Sequence, residues 1–135
     1  MSSMFSYDED LIPPGPSVYL RIIDARRRLG LPRFAALIDT GADVSCLPKW
    51  IVDKGPPLDY DWVPVEAHDG RRKMERFVRI LNATVEFSDE KETVLVTKEY
   101  KNLRLLILPW GLLGRDLLNS HVCELDGPRL TSHLR

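Results

Sequence analysis

The sequence predicts an all-β fold, on three observations. Its apolar residues fall in short runs rich in Val, Ile, Leu and Phe, a pattern that suits strands better than helices, which need roughly ten residues or more. Turn signals separate the runs, at Gly55-Pro56-Pro57, Asp69-Gly70 and Asp126-Gly127-Pro128. One segment alone, "RDLLN" in the C-terminal region, reads as a short helix, and no internal repeat is visible.

Taken in order, residues 1–17 carry acids and three prolines around the apolar pair Leu11 and Ile12, and read as a flexible, extended N-terminal arm ahead of a domain over 18–135. "VYLRIID" is a strand and "ARRRLGLPR" turns the chain. The arginines Arg26, Arg27 and Arg28 suit a solvated hairpin tip better than a nucleic-acid patch, because the total charge is balanced and no aromatic residues interleave. "FAALI" is apolar on both faces and therefore internal, "VSCLP" is a short strand ended by Pro48, and "KWIVDKGPPLDYD" is loop. "WVPVEA" and "RKMERFVRI" flank "HDGR" and make a long hairpin over 62–80. "NATVEFSDEKETVLVTKEY" gives two more strands around an acidic turn. "LRLLILP" is a second fully apolar strand, continued by "WGLLG", and "VCELDGPRLTSHL" closes the chain as a hairpin.

The bulk properties narrow the function. The 135 residues, 44% apolar with a formal charge of -1, fit one globular domain and favour neither disorder nor polyanion binding. No apolar stretch approaches the ~20 residues that span a bilayer, and the opening lacks the pattern of a signal peptide. A soluble, cytoplasmic protein is expected, without membrane or nucleic-acid partners. Cys46 and Cys123 read as buried thiols rather than a disulfide. His68, His121 and His133 lack metal-ligand spacing and read as surface or turn residues, so neither metal nor other cofactor is expected.

Chemistry concentrates at "FAALIDTGAD". An internal strand that ends in Asp39 delivers a carboxylate where burial can tune it for general acid or base work. An unpaired buried carboxylate costs several kcal/mol, so Asp39 needs a compensating partner. The motif extends to D-T-G-A-D-V-S, and ~70 residues later the chain offers apolar-apolar-Gly-Arg-Asp.

With "ALIDTGADVS" at 36–45 and "LLGRDLL" at 112–118, the chain resembles the retropepsin-like aspartic proteases, the single-domain type of retroviruses and cellular genomes, over roughly residues 18–126. The resemblance implies an acid-protease barrel with the 62–80 hairpin as its flap, and an endopeptidase acting on polypeptide substrates. In that family two aspartates share one proton across a two-fold axis, because like charges ~3 Å apart cannot both ionise. This chain holds one D-T-G, so the resemblance implies a homodimer in which Asp39 meets its symmetry mate.

The same resemblance assigns the neighbours. Thr40 hydrogen-bonds across the interface, Gly41 lets backbone approach the carboxylates, Ala42 stays small, Asp43 pairs with Arg115, and Gly114 lets its strand pass close to the catalytic loop. Asp43 and Arg115 also fit a plain surface pair. Ile38, Val44, Trp110 and Leu112 are expected either as pocket walls or as core, with Asp69 and Gly70 at the flap tip above the substrate; Asp116 reads as a helix-side polar group without a chemical role. The flap tip holds Gly70 alone where retroviral flaps carry several glycines, and "CELDGPRL" adds a terminal hairpin. The rival readings are an inactive peptide-binding or dimerisation module on the same fold, and an unrelated barrel in which D-T-G-A-D is only a turn.

Overall fold

The computed structural model describes residues 3–10, 15–66 and 69–135. Eleven strands, counted among these residues, join in one sheet that closes on itself. The ring consists of β2 (Gly15–Asp24), β4 (Phe34–Ile38), β9 (Gly111–Leu113), β5 (Cys46–Pro48), β8 (Val94–Leu108) and β7 (Arg72–Ser88), with β7 pairing back onto β2. The fold is all-β, as the short runs predict. Alternation fills the barrel: Val18, Leu20 and Ile22 of β2, Phe34, Ala36 and Ile38 of β4, and Val78, Ile80, Leu105 and Leu113 all point into one core. "FAALI" is internal in the sheet yet alternates in burial, with Ala35 exposed and Leu37 half-buried.

The long hairpin is present and larger than expected. β6 (Asp59–Glu66) pairs with the first half of β7, while the second half of β7 pairs with β2, so "RKMERFVRI" and "NATVEF" are one strand of 17 residues. It bends where Leu81 and Asn82 both face solvent and burial switches from even to odd positions. Opposite the bend, Asn102 of β8 takes φ 55, one of the few side chains that tolerates the left-handed region. "VLVTKEY" and "LRLLILP" are likewise one strand, β8. The two-residue strand β3 (Leu29–Gly30) folds the arginine turn back onto β2.

Two expectations are corrected. "KWIVDK" is not loop: α1 (Lys49–Lys54) starts after Pro48 and ends where the Gly55 N–H donates to the Ile51 carbonyl at 2.7 Å. It is too short for helical periodicity to show; Ile51 is buried in the core and Val52 packs against it. The N-terminal arm is also structured. β1 (Ser3–Asp8) pairs with β11 (Thr131–Leu134) and with the start of β2, burying Phe5 at 2% exposure, and β10 (Cys123–Asp126) completes the terminal sheet. Most of β1 pairs with a strand some 130 residues away, and only Tyr7 and Asp8 meet the start of β2, so local sequence carried little sign of it. Leu11 and Ile12 lie outside the described residues. "RDLLN" forms α2 (Arg115–Leu118), and the expected terminal hairpin is β10–β11.

Candidate active site

β4 ends at Ile38 and passes the chain into the D-T-G-A-D turn, which is stitched to the β9–α2 segment at both ends. The Asp39 N–H donates to the Leu113 carbonyl at 3.0 Å, and the Arg115 N–H donates to the Ala42 carbonyl at 2.9 Å. Within the turn, the Gly41 N–H donates to Asp39 Oδ1 at 3.0 Å, which folds the carboxylate back over its own loop. A Cβ on Gly41 would sit 3.3 Å from that oxygen, so the residue without a side chain fits best. Gly114 is tighter still: a Cβ there would lie 2.7 Å from both the carbonyl carbon and oxygen of Val44 and 3.0 Å from the Ala42 oxygen. The expected close passage of the two segments is therefore present in the backbone.

The carboxylate itself is less covered than an internal strand suggested. In the protomer Asp39 is half-buried, Ala42 likewise, and Thr40, Gly41 and Asp43 are exposed. Asp43 and Arg115 do form an ion pair, with their side chains 80% and 52% exposed, so within one protomer it is a surface pair worth at most about 1 kcal/mol. The stronger brace is one that sequence reasoning missed. Asp116 accepts the Ser45 N–H at 3.0 Å, the Ser45 hydroxyl at 2.6 Å and its own neighbour's Leu117 N–H at 2.8 Å, while the Ser45 hydroxyl accepts the Gly114 N–H at 2.9 Å. Asp116 is therefore no idle helix-side group. The readable signal was an acid one position into a helix, but its partner 71 residues earlier left no pattern.

Strand register sorts the expected wall residues by face. One row runs across the sheet from Asp61 through Phe77, Leu106 and Cys46 to Leu112, and all of it faces away from the barrel core. Val44, half-buried, and Trp110, 60% exposed, lie in the bends before β5 and β9, where strand alternation assigns no face. Leu112 is half-buried and belongs to this outer apolar strip, which leads from beside the D-T-G-A-D turn to the base of the hairpin. Ile38 does not belong there. It pairs with Leu113, points inward and is 4% exposed, so it is core, and Leu37, opposite Leu112, occupies the outer face instead. Phe77 and Cys46 join the strip without having been expected, and both are buried, at 5% and 2% exposure.

At the hairpin tip Gly70 takes φ 79, the left-handed region that favours glycine, and Asp69 Oδ1 accepts the Arg71 N–H at 3.1 Å. Asp69 and Gly70 are exposed, and His68 lies outside the described residues. Val63, Val65 and Glu75 are half-buried on the hairpin face that shares the parity of Asp61 and Phe77.

Electrostatics link the site to its surroundings. Burial, and then the charges of Asp116 and Asp39, push the Cys46 thiol up to about 11. Both carboxylates therefore act on one buried strand residue. His121 lies in the turn after α2, as one of its two readings had it, but is half-buried rather than on the surface: its Nε2 lies 3.2 Å from the Tyr100 hydroxyl and its ring meets Phe87 edge-on at 4.8 Å. Burial first, and Lys98 second, lower its pKa. Two concavities of about 570 and 500 Å³ lie elsewhere, the first lined by Arg21, Arg33 and Lys54 and the second by the β1 turn, and neither touches Asp39.

A family model described as retroviral aspartyl protease matches residues 16–126. The structure is similar to the crystal structure of a retropepsin-like aspartic protease from Rickettsia conorii, with a TM-score of 0.55 at 16% identity, over 99% of this chain and 90% of that one. At that identity the likeness speaks for the fold. No curated protein matches the chain. The match over residues 16–126, most of the length, makes this chain a member of the retroviral aspartyl protease family.

Proposed function

We propose that the protein is an aspartic endopeptidase whose dyad forms from Asp39 of two protomers. The observation that carries the reading is the Asp39 carboxylate itself: fixed by the Gly41 N–H, braced against β9 and α2, yet lying in a turn whose Thr40, Gly41 and Asp43 are uncovered. Rigid presentation of a single half-exposed carboxylate suits half of a shared site. Two protomers related by a two-fold axis each supply one such group, and the pair holds one proton between them.

The chemistry follows from that pairing. The ionised member takes a proton from water, the protonated member polarises the scissile carbonyl, and the tetrahedral diol collapses with proton transfer to the departing amine. No cofactor is needed for these steps. The substrate lies extended between the catalytic turn and the β6–β7 hairpin, with its side chains alternating towards Val44, Leu112 and Trp110. Apolar residues flanking the scissile bond suit that lining. The free thiols Cys46 and Cys123 fit a reducing compartment, and we place the enzyme in the cytoplasm.

The test uses the purified full chain, a mixed peptide library at acidic and near-neutral pH, and the Asp39→Asn variant alongside. Cleavage by the parent with a loss of about 10³-fold or more in the variant supports the enzyme. Binding without cleavage by both proteins favours a peptide-binding module instead. Sedimentation of the same samples reads the second half of the proposal, since a strictly monomeric chain that still cleaves rules out the shared dyad.

A further inference from the structure

We infer that Asp116 is a positioning residue for Asp39, acting through Ser45 and Gly114; the inference rests on the reading of Asp39 as the catalytic acid. Each hydrogen bond in the chain has one direction. The Gly114 N–H can only donate, so the Ser45 hydroxyl oxygen accepts it at 2.9 Å. The Ser45 hydroxyl proton is then directed to Asp116 Oδ1 at 2.6 Å, and the Ser45 N–H goes to Oδ2 at 3.0 Å. The Leu117 N–H shares Oδ1 at 2.8 Å. Three donors from two separate segments converge on one carboxylate, which is acceptor-only when ionised.

The place of Gly114 gives this brace its consequence. It sits between Leu113, whose carbonyl holds the Asp39 N–H, and Arg115, whose N–H holds the Ala42 carbonyl. Fixing the Gly114 N–H therefore fixes the residue between the two anchors of the catalytic turn. Ser45 is 1% exposed and Asp116 lies on the solvent side of it, so the carboxylate covers the serine and supplies the acceptors for both of its donors. Both carboxylates also raise the Cys46 thiol, which agrees with both lying near the residue that follows Ser45.

The variants are Asp116→Ala, which removes every acceptor; Asp116→Asn, which keeps the shape and one acceptor oxygen but turns an amide N–H towards one of the three donors; Ser45→Ala; and the double Ser45→Ala/Asp116→Ala. In the full-length parent background, Asp116→Ala is expected to lower kcat about 100-fold, the scale of a misplaced reacting group. KM stays within about threefold, because substrate contacts are untouched. Asp116→Asn recovers about tenfold or more of the loss, and the double variant is no slower than its slower single, since both act through one chain of bonds. Folded fraction is measured by thermal melting for every variant, and a kcat loss that merely tracks it overturns the inference, as does multiplicative loss in the double. An activity-independent reading comes from amide hydrogen exchange. Asp116→Ala is expected to accelerate exchange at Ala42 and Gly114 by about tenfold or more while that of β2 is unchanged. Unchanged exchange at those two amides overturns the inference. Should the parent cleave no peptide, the proposed function fails by itself, and the exchange result still decides the role of Asp116.

Discussion

The floor and the overhang of this molecule are built on opposite plans. The D-T-G-A-D turn has little regular structure, yet backbone bonds to Leu113 and from Arg115, together with the Ser45–Asp116 brace, tie it to the chain 70 or so residues away. The β6–β7 hairpin is regular for eight paired residues, yet Trp62 is 64% and Met74 51% exposed, and its tip is held by an aspartate accepting a nearby amide. Regular secondary structure and local stability are therefore separate properties. Local stability follows long-range cross-bracing, which the turn has and which the described residues of the hairpin tip, 69–71, do not show.

That contrast yields graded expectations. The largest effect belongs to the floor: Asp39→Asn removes turnover by about 10³-fold or more without loss of folding, read by peptide cleavage and thermal melting together. Next, Gly114→Ala drives a Cβ into the Val44 carbonyl, with backbone atoms that cannot rotate away. It should lower unfolding free energy by about 3 kcal/mol, read from the urea midpoint. On the overhang, Gly70→Ala meets no neighbouring atoms and pays only for its positive φ, so a loss of about 1 kcal/mol is expected. A larger loss for Gly70→Ala than for Gly114→Ala would reverse the comparison. Arg115→Ala, which breaks only an exposed pair, should cost under about 1 kcal/mol in the isolated protomer.

The smallest expected effects are pH-dependent. The pKa of His121 is lowered on folding from 6.5, so its contribution to stability is present above that value and is lost as pH falls through the folded-state pKa. Cys46 is raised from 9.0 to about 11, so its contribution is present below 9.0 and is lost as pH rises through about 11. Urea midpoints across pH should fall at both ends, and His121→Gln should flatten the acid limb alone. An unchanged acid limb would assign that loss to the carboxylates instead.

How much of this was legible depended on whether the partner was near in sequence. The β-branched and large apolar residues of "VYLRIID" and the Asp69-Gly70 turn announced β2 and the hairpin, because strand preference and turn conformation are local. Asp39, Gly41 and Gly114 were readable because the motif and the steric demand coincide in the same few residues. Ile38 stood open between pocket wall and core, because one residue of shift reverses a strand's face, and only the pairing of Ile38 with Leu113 and its burial fix it as core. β1, the Asp116 brace and the burial of His121 by Phe87 each depend on contacts across the whole chain, where sequence gives residue types without distances.

The length of β7 carries one more lesson, for anyone who edits this chain. Because a single strand runs from the hairpin into the barrel wall, its pairing with β6 over Arg72–Arg79 and with β8 from Phe77 onward fixes the phase of every side chain from Arg72 to Ile80. Adding or removing one residue in that span reverses the faces of the overhang, bringing Met74 and Arg76 to the side now held by Glu75 and Phe77; changes of two restore it. Insertions before Arg72, where the pairing with β6 begins, leave that phase unchanged.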